Sequence, residues 1–229
     1  MEVIILSGGL VTRLNEVVNN VPKPMAPING VAFLEYIFKY LGRHSVDRVV
    51  LSVGYKWKNI YEYFGESFEN LKIIYSIEDK PLGTGGAIKK AMRYTSEEYI
   101  FIVNGDTYFN INLDKLNHAM NDESEIVLAL KQMVDFDRYG CIEIDNDNIV
   151  TSFSEKEYRK DGYINGGIYL VRSDIFATAD LPNKFSFEEF MVENLQDIEI
   201  NSVIFDDYFI DIGIPEDYEI AQRELKDLI

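Results

Sequence analysis

Short apolar runs alternate with longer amphipathic stretches through the first half of the chain, and this alternation limits the folds that are possible. The pattern predicts strands at residues 3–6, 49–53, 73–77 and 99–103, and helices near residues 31–42, 56–64 and 85–94. Strands that alternate with helices indicate βαβ units and a mainly parallel sheet. Because the crossovers between such strands are right-handed, the loops that follow the strands are expected along one edge of the sheet.

The second half of the chain has a different pattern, in which short apolar runs are joined by turns. Strands are expected at residues 126–130, 141–144, 149–153, 167–171 and 200–205, and helices at residues 185–195 and 215–228. Closely spaced strands favour antiparallel additions to the same sheet. The sequence contains no internal repeat and no obvious linker, so one compact domain is predicted.

Composition narrows the functional classes. The 229 residues are 47% hydrophobic and carry a net charge of −17. Nucleic acid is therefore not expected as a partner, since phosphate backbones require basic patches. A membrane partner is not expected either, because no apolar run approaches the ~20 residues of a membrane span. The single cysteine, Cys141, cannot form an internal disulfide, and no signal peptide is apparent. These features predict a cytoplasmic protein.

A glycine turn follows the first predicted strand, and two basic residues come after it. Gly8 and Gly9 allow backbone N–H groups to approach a phosphate without a Cβ in the way. Arg13 and Lys23, the latter between two prolines, add positive charge. The segment is neither a Walker loop nor a dinucleotide-binding pattern. The alternative is a tight turn between strand and helix with two solvated cations.

Two aspartates are candidate metal ligands. Asp106 follows the predicted strand 99–103 closely, at the edge where an open α/β sheet binds ligands. Asp211 stands between apolar residues, where a carboxylate needs a partner. Carboxylates in these positions suit Mg²⁺. The alternatives are a turn aspartate that caps the next helix for Asp106, and a partner N–H at the helix near Pro215 for Asp211.

Two further segments suit the organic parts of a substrate. Three glycines within residues 83–86 follow Glu78 and allow a flat ligand or a phosphate to approach closely, unless they form only a flexible loop before a helix. Glu155, Lys156 and Asn165 suit the hydroxyls and the phosphate of a sugar phosphate. Surface polar residues around a hairpin are the alternative for this second group.

The histidine content argues against several kinds of chemistry. The only histidines, His44 and His118, stand in unrelated contexts, and no Ser-His-Asp set, Cys–His pair or zinc-ligand spacing is visible. Chemistry that depends on positioning and charge neutralisation, rather than on an acid and a base, fits the candidate residues of this sequence better. Phosphoryl transfer and nucleotidyl transfer are reactions of that kind.

Together these motifs resemble those of the sugar-1-phosphate nucleotidyltransferases. The matching segments follow one order: the Gly-Gly-x-x-Thr-Arg-Leu loop at 8–14, Pro-Lys-Pro-Met at 22–25, the glycine loop at 82–86, Asn-Gly-Asp at 104–106, Glu-Lys at 155–156 with Asn-Gly-Gly at 165–167, and Asp211. Within this family, segments 22–30 and 33–36 are most similar to those of the bacterial D-glycero-α-D-manno-heptose 1-phosphate guanylyltransferases.

The resemblance implies a Rossmann-like three-layer α/β/α sandwich, an α/β fold with a mixed, mostly parallel sheet. Residues 1–229 would form a single nucleotidyltransferase domain. Residues 1–110 would mainly bind the nucleotide, and residues 111–229 would mainly bind the sugar phosphate. The substrates would be an NTP and a sugar 1-phosphate, and the cofactor would be Mg²⁺. A homo-oligomer is compatible with the sequence.

The resemblance also implies a role for each motif residue. The catalytic residues would be Arg13, Lys23 and Asp106. The nucleotide would contact Leu6, Gly8, Gly9, Thr12, Arg13, Lys23, Glu78, Leu82, Gly83 and Thr84. The sugar phosphate would contact Gly140, Glu155, Lys156, Asn165 and Gly166. The metal would be held by Asp106 and Asp211.

One residue departs from the family pattern. The loop usually reads Gly-Gly-x-Gly-Thr-Arg-Leu, and here Val11 replaces its last glycine. A β-branched residue is costly at positive φ, and its side chain takes up space near the phosphates. Reduced activity is therefore one expectation, and a nucleotide-sugar-binding homologue without activity is an alternative.

The reaction that the resemblance implies joins GTP and D-glycero-α-D-manno-heptose 1-phosphate to give GDP-heptose and pyrophosphate, for bacterial surface polysaccharides. The Glu78 carboxylate would accept hydrogen bonds from both N1–H and the amino group of guanine. If Glu78 points to solvent instead, backbone groups of Leu82 and Gly83 would read the base. Other nucleotides or sugars, and a glycosyltransferase, are the alternatives.

Overall fold

The computed structural model describes residues 1–9, 21–177 and 180–227. Its strands are β1 (Glu2–Leu6), β2 (Pro27–Ile28), β3 (Val31–Ala32), β4 (Arg48–Val53), β5 (Ser67–Phe68), β6 (Leu71–Ile77), β7 (Tyr99–Asn104), β8 (Thr107–Phe109), β9 (Ser124–Phe136), β10 (Gly140–Ile144), β11 (Val150–Lys156), β12 (Arg159–Arg172), β13 (Glu199–Phe205) and β14 (Phe209–Asp211). Its α-helices are α1 (Phe33–Gly42), α2 (Trp57–Phe64), α3 (Gly83–Ala91), α4 (Asp114–Ala119), α5 (Phe187–Glu193) and α6 (Pro215–Glu224). Turns of 3₁₀ helix occupy Lys23–Met25, Met92–Tyr94 and Leu225–Asp227.

The centre of the main sheet is parallel. Its strands follow the order β7-β1-β4-β6, and β1 pairs with β7 on one side and β4 on the other. Leu6, at the end of β1, is in register with Ser52 of β4 and Asn104 of β7. The loops that follow these strands therefore leave the sheet at one edge, as the alternation of strands and helices predicted.

The second half of the chain extends this sheet mostly with antiparallel strands, as predicted, but β13 is an exception because it runs parallel to β9. β12 runs antiparallel to β7, β9 and β10, and β10 pairs in turn with β11. The result is the predicted mixed sheet of a Rossmann-like α/β fold. β9 and β12 are much longer than predicted. Their outer parts, residues 131–136 and 159–163, are mostly polar and partly exposed, so they lack the apolar runs from which the strands were predicted.

Hydrophobic cores lie on both faces of the sheet. Val3 and Ile5 of β1 pack with Phe33 and Ile37 of α1, whereas Ile4, between them in sequence, packs with Ile88 of α3. Successive side chains of a strand point to opposite faces, so each face needs its own helical cover. This packing produces the predicted three layers. Among the described residues, no helix is long and apolar enough to cross a membrane.

Candidate active site

A pair of three-residue strands brings the predicted metal ligands together. β8 begins directly after Asp106, β14 ends at Asp211, and the strands pair antiparallel with Asp211 opposite Thr107. The N–H of Ile212 donates a hydrogen bond to the carbonyl oxygen of Asp106 at 3.0 Å. The two aspartates therefore lie side by side, although they are far apart in the sequence.

Neither aspartate caps a helix through its side chain. Asp106 is followed by a strand rather than by a helix that it could cap. The helix α6 has Ile214 at its N-cap and no side-chain hydrogen bond there, so Asp211 does not cap it. A backbone hydrogen bond from Gly213, just before the helix, partly offsets the rise in the pKa of Asp211 that burial causes.

Lys23 lies within reach of both carboxylates. Its Nζ forms an ion pair with Asp106 and is 3.8 Å from Oδ1 of Asp211. Lys23 begins a 3₁₀ turn whose second residue, Pro24, is buried. Because proline fixes its own backbone angle, it limits the directions in which the lysine can project. The structure thus places one cation beside two anions.

The carboxylate of Asp211 is partly buried and only partly compensated by its neighbours. Burial, the largest cause, and the charge of Asp106 together raise its pKa to about 6, although Lys23 and a backbone hydrogen bond from Gly213 act in the opposite direction. Its Oδ1 is buried and accepts no hydrogen bond from the described residues. A divalent cation would satisfy this oxygen and remove the repulsion between the two carboxylates.

The donor set therefore fits a metal ion that is shared with a substrate. The described residues contain no group of three or more histidine, cysteine, aspartate or glutamate side chains that could hold a metal by themselves. Mg²⁺ is usually bound through one or two carboxylates together with substrate phosphates and water. Asp106 and Asp211 are sufficient for that mode of binding.

A cavity of about 360 Å³ opens at the edge where the parallel strands end. The described residues that line it are Leu6, Gly8, Gly9, Glu78, Pro81, Gly83, Thr84, Ala87, Asn104, Asp106 and Glu188. Most of the residues predicted to contact the nucleotide are among them. The metal candidate Asp106 lies in the same wall, so the cavity reaches the site of the expected chemistry.

Glu78 lines this cavity, and its carboxylate also accepts hydrogen bonds from two other parts of the protein. Oε1 accepts a hydrogen bond from Oγ of Ser52 at 3.1 Å, and Oε2 accepts one from the N–H of Leu82 at 3.0 Å. Glu78 therefore fixes the turn that leads into α3. Each oxygen keeps a further lone pair, so contact with a nucleobase stays a prediction.

Residues 83–86 form the first turn of α3 rather than a loop before the helix, and their glycines have a packing role that the sequence did not reveal. Gly83 has a φ of +71°, and Gly85 and Gly86 both donate backbone hydrogen bonds to the carbonyl of Phe185, at 3.1 and 3.4 Å. A Cβ on Gly83 would collide with that carbonyl, and one on Gly85 would collide with the Phe185 ring. These glycines allow the segment before α5 to approach α3 closely, so they do not form merely a flexible loop.

Glu188 is a cavity residue that the sequence analysis missed. Its Oε2 accepts hydrogen bonds from Oγ1 of Thr84 at 2.8 Å and from Oγ of Ser186 at 2.9 Å. Ser186 also caps α5 by accepting the N–H of Glu189. The Ser-x-x-Glu spacing predicts such a helix start, but it contains no information on what the helix faces.

The predicted sugar-site residue Asn165 is held by its neighbours. Its Nδ2 donates to the hydroxyl of Tyr169 at 2.7 Å, and its Oδ1 accepts the N–H of Gly167 at 2.9 Å. A Cβ on Gly166 would collide with the ring of Phe109. Gly166 is therefore required for packing beside β8, and its contact with a ligand stays a prediction.

The structure brings Gly140 and Lys156 together, since they are paired across β10 and β11. A Cβ on Gly140 would lie 2.5 Å from the carbonyl oxygen of Ser154, so the strands can pair this closely only with glycine there. The side chains of Glu155 and Lys156 are exposed. None of these three predicted sugar-phosphate residues lines the cavity described above.

Residues 10–14 of the predicted phosphate loop, which include Val11, Thr12 and Arg13, lie outside the described residues. The consequences expected from Val11, and the roles expected for Thr12 and Arg13, stay predictions. The part of the loop that is described, Gly8 and Gly9, lines the cavity beside Glu78.

This combination of a parallel α/β core, a glycine turn and a lysine between two aspartates defines a nucleotide-transferring enzyme. The chain belongs to the nucleotidyl transferase family, whose model matches residues 2–227. Enzymes of this family typically use a divalent metal, in agreement with the donor set at Asp106 and Asp211.

Particular relatives narrow the comparison. The chain is 54% identical to the D-glycero-α-D-manno-heptose 1-phosphate guanylyltransferase of Campylobacter jejuni, over 95% of this chain and 97% of the relative. It is 49% identical to the enzyme of the same name from Aneurinibacillus thermoaerophilus, over 100% of both chains. The crystal structure of HddC from Yersinia pseudotuberculosis complexed with GMP-PN is 37% identical, with a TM-score of 0.87 and coverage of 98% and 99%. The predicted resemblance to this group is confirmed.

Proposed function

We propose that this protein joins GTP and D-glycero-α-D-manno-heptose 1-phosphate to give GDP-heptose and pyrophosphate. The observation that carries the proposal is the pairing of β8 with β14, which sets Asp211 beside Asp106 and Lys23, with Asp106 in the wall of the cavity. Two relatives that match nearly the whole chain, at 54% and 49% identity, carry the name of this activity.

The proposed reaction needs little acid–base chemistry from the protein. An oxygen of the sugar phosphate, already anionic at neutral pH, forms a bond to the α-phosphorus of GTP. The bond from that phosphorus to the bridging oxygen breaks, and pyrophosphate leaves with the electron pair. None of the described cavity-lining residues is a histidine, which suits a reaction without a general base.

Each charged residue of the site then either neutralises charge on the phosphates or holds the metal ion. Lys23 offsets negative charge that builds up on the α-phosphate, and Arg13 stabilises the leaving pyrophosphate. Asp106 and Asp211 would hold Mg²⁺, which when bound polarises phosphate oxygens. A preorganised cationic group of this kind commonly contributes roughly 10²–10³ in rate, judged from single-donor deletions.

We also propose a division of the single domain, residues 1–229, between the two substrates. Residues 1–110 supply most of the cavity wall, including Glu78, Gly83 and Asp106, and are assigned to the nucleotide. Residues 111–229 contain Asn165 and the exposed pair Glu155 and Lys156, and are assigned to the sugar phosphate. A cytoplasmic location is part of this proposal, and a homo-oligomer stays a prediction.

The test is a panel of GTP, ATP, UTP, CTP and dTTP crossed with D-glycero-α-D-manno-heptose 1-phosphate, mannose 1-phosphate and glucose 1-phosphate. Pyrophosphate release is measured in the presence of Mg²⁺. The expected result is the highest kcat/KM for GTP with the heptose phosphate. If only another pair releases pyrophosphate, the substrates are that nucleotide and that sugar phosphate instead. If no pair releases pyrophosphate, the proposed activity is overturned.

A further inference from the structure

Glu188 places a carboxylate in the wall of a cavity that is expected to receive an anionic nucleotide. It lies in the first turn of α5 and lines the cavity together with Thr84, Asn104 and Asp106. No lysine or arginine among the described residues forms an ion pair with it, and its recorded bonds are those with Thr84 and Ser186. A carboxylate in this position repels phosphate, so it must face another part of the substrate.

The hydrogen-bond geometry leaves one carboxylate oxygen available. Oε2 accepts from Oγ1 of Thr84 at 2.8 Å and from Oγ of Ser186 at 2.9 Å. Oε1 accepts no hydrogen bond from the described residues. The hydroxyl of Thr84 is itself held, since it accepts the N–H of Phe187 at 2.8 Å. The carboxylate is therefore fixed in one orientation, with one oxygen free to accept a donor from a ligand.

The neighbours of Glu188 indicate which part of a substrate it meets. On one side, Thr84 lies in the first turn of α3, whose N-cap residue Leu82 donates a hydrogen bond to Glu78. On the other side, Glu188 lies close enough to Tyr169 to raise the pKa of its hydroxyl, although burial is the larger cause. Tyr169 in turn contacts Asn165. Glu188 thus lies between the first turn of α3 and the residues assigned to the sugar phosphate, where the substrates carry sugar rings.

We propose that Glu188 is a substrate-binding residue whose carboxylate accepts a hydrogen bond from a secondary hydroxyl of a bound sugar ring. The ring is either the ribose of the nucleotide or the sugar of the sugar 1-phosphate, since both carry the same donor. A carboxylate only accepts hydrogen bonds, and a secondary hydroxyl is the uncharged donor that both rings supply. The inference rests on the proposed function, because it takes both substrates from it.

The competing explanation is that Glu188 only fastens Thr84 and Ser186 to each other. The two explanations differ in one respect. A binding residue loses affinity only for ligands that carry the hydroxyl it contacts, whereas a fastening residue affects every ligand equally. A comparison of variants against ligands that lack single hydroxyls therefore separates them.

The experiment compares wild type, Glu188→Gln and the matched control Glu189→Gln. Glu189 is exposed, belongs to the same turn of α5, and does not line the cavity. The nucleotide ligands are GTP, 2′-deoxyGTP and 3′-deoxyGTP, and the sugar ligands are D-glycero-α-D-manno-heptose 1-phosphate and its 2-deoxy, 3-deoxy and 4-deoxy analogues. Equilibrium binding is measured by calorimetry, kcat/KM is measured by pyrophosphate release, and circular dichroism confirms that each variant is folded.

The expected result is that Glu188→Gln lowers the affinity for one intact substrate, either GTP or the heptose phosphate, by about tenfold to a hundredfold. This is the range for hydrogen bonds to a charged group. The analogue that lacks the contacted hydroxyl should bind wild type and variant equally, and this analogue identifies the ring. An equal loss for all ligands, or no loss for any, overturns the inference. Failure of wild type to release pyrophosphate would overturn the proposed function instead, while the binding measurements would still decide the role of Glu188.

Discussion

Asp106 and Asp211 share one ammonium group, that of Lys23, in a site where the Oδ1 of Asp211 is buried without a hydrogen bond from the described residues. Two neighbouring negative charges repel each other and raise the free energy of the folded state unless a further cation binds between them. The arrangement therefore favours metal binding over stability, as is common at functional sites.

We expect Asp106→Asn and Asp211→Asn each to lower kcat by at least about a hundredfold, because each removes a charged metal ligand. Asp211→Asn should not lower the thermal midpoint in the absence of metal, because it removes a buried charge that Asp106 repels. Turnover is measured against Mg²⁺ concentration, and the midpoint is measured in EDTA. Wild-type turnover of either variant at limiting Mg²⁺ would show that its ligand role is wrong.

Glu78→Gln should lower the preference for GTP over UTP by about tenfold or more, since an unmatched polar edge costs about 1–3 kcal/mol. The measurement is the ratio of kcat/KM for the two nucleotides. The bond from Leu82 to Glu78 complicates the result, because a weaker loop would reduce both values. Equal reductions for GTP and UTP would assign Glu78 to the loop alone, and a wild-type enzyme that uses UTP as readily as GTP would refute the guanine assignment.

Gly85→Ala should destabilise the protein by about 1–3 kcal/mol, as overpacked positions do. The added Cβ would collide with the ring of Phe185 and would push the segment that carries Glu188 away from α3. Urea unfolding measures the stability, and nucleotide affinity should fall with it. Gly42→Ala is the control, because its Cβ would meet only Oε2 of Glu69 at 3.9 Å. A Gly85→Ala variant as stable as wild type would contradict the packing role of this glycine.

The environment of Glu2 indicates that the stability of the protein falls at acidic pH. Its carboxylate is buried and accepts hydrogen bonds from the N–H groups of Ser96 and Glu97 and from the Ser96 hydroxyl, and it pairs with Arg48. Burial alone would raise the pKa of Glu2, but these contacts outweigh it and lower the pKa below its usual range. The stabilisation is therefore present above the unfolded pKa and is lost as the pH falls through the lower, folded pKa.

We expect Glu2→Gln to reduce the free energy of unfolding at pH 7 by about 1–3 kcal/mol, the range for hydrogen bonds to a charged group. The difference between wild type and variant should shrink as the pH falls below about 4.5, where the reference carboxyl becomes protonated. Urea unfolding between pH 3 and pH 7 tests this, with the exposed Glu97→Gln as the matched control. A difference that stays constant with pH would show that ionisation of Glu2 contributes nothing.

Much of the fold could be predicted because hydrophobic periodicity reports local structure. The apolar run at residues 3–6 and the stretch at residues 56–64 became β1 and α2 within one residue at each end. The outer parts of β9 and β12 could not be predicted in the same way, since their polar residues match loops as well as they match a strand with one solvated face. The strands β8 and β14 contain three residues each, too few to show any period.

Part of the site was also readable in the sequence. The glycine turn, Lys23, Asp106 and Asp211 are recognisable because phosphate and metal chemistry admits few residue types, and the motif order resembles one family. The packing role of the glycines at residues 83–86 could not be predicted from the sequence. They accommodate Phe185, which comes close to them only because α5 packs against α3.

The sequence by itself determined the alternation of strands and helices, the acidic charge and the chemical types of the catalytic candidates, since these follow from neighbouring residues. Only the tertiary structure decided that Asp211 meets Asp106, that Glu78 fixes the turn before α3, and that Glu188 enters the cavity wall. Contacts of this kind join residues far apart in the chain. Their formation depends on the free energy of packing the whole sheet and its helices, which no local pattern records.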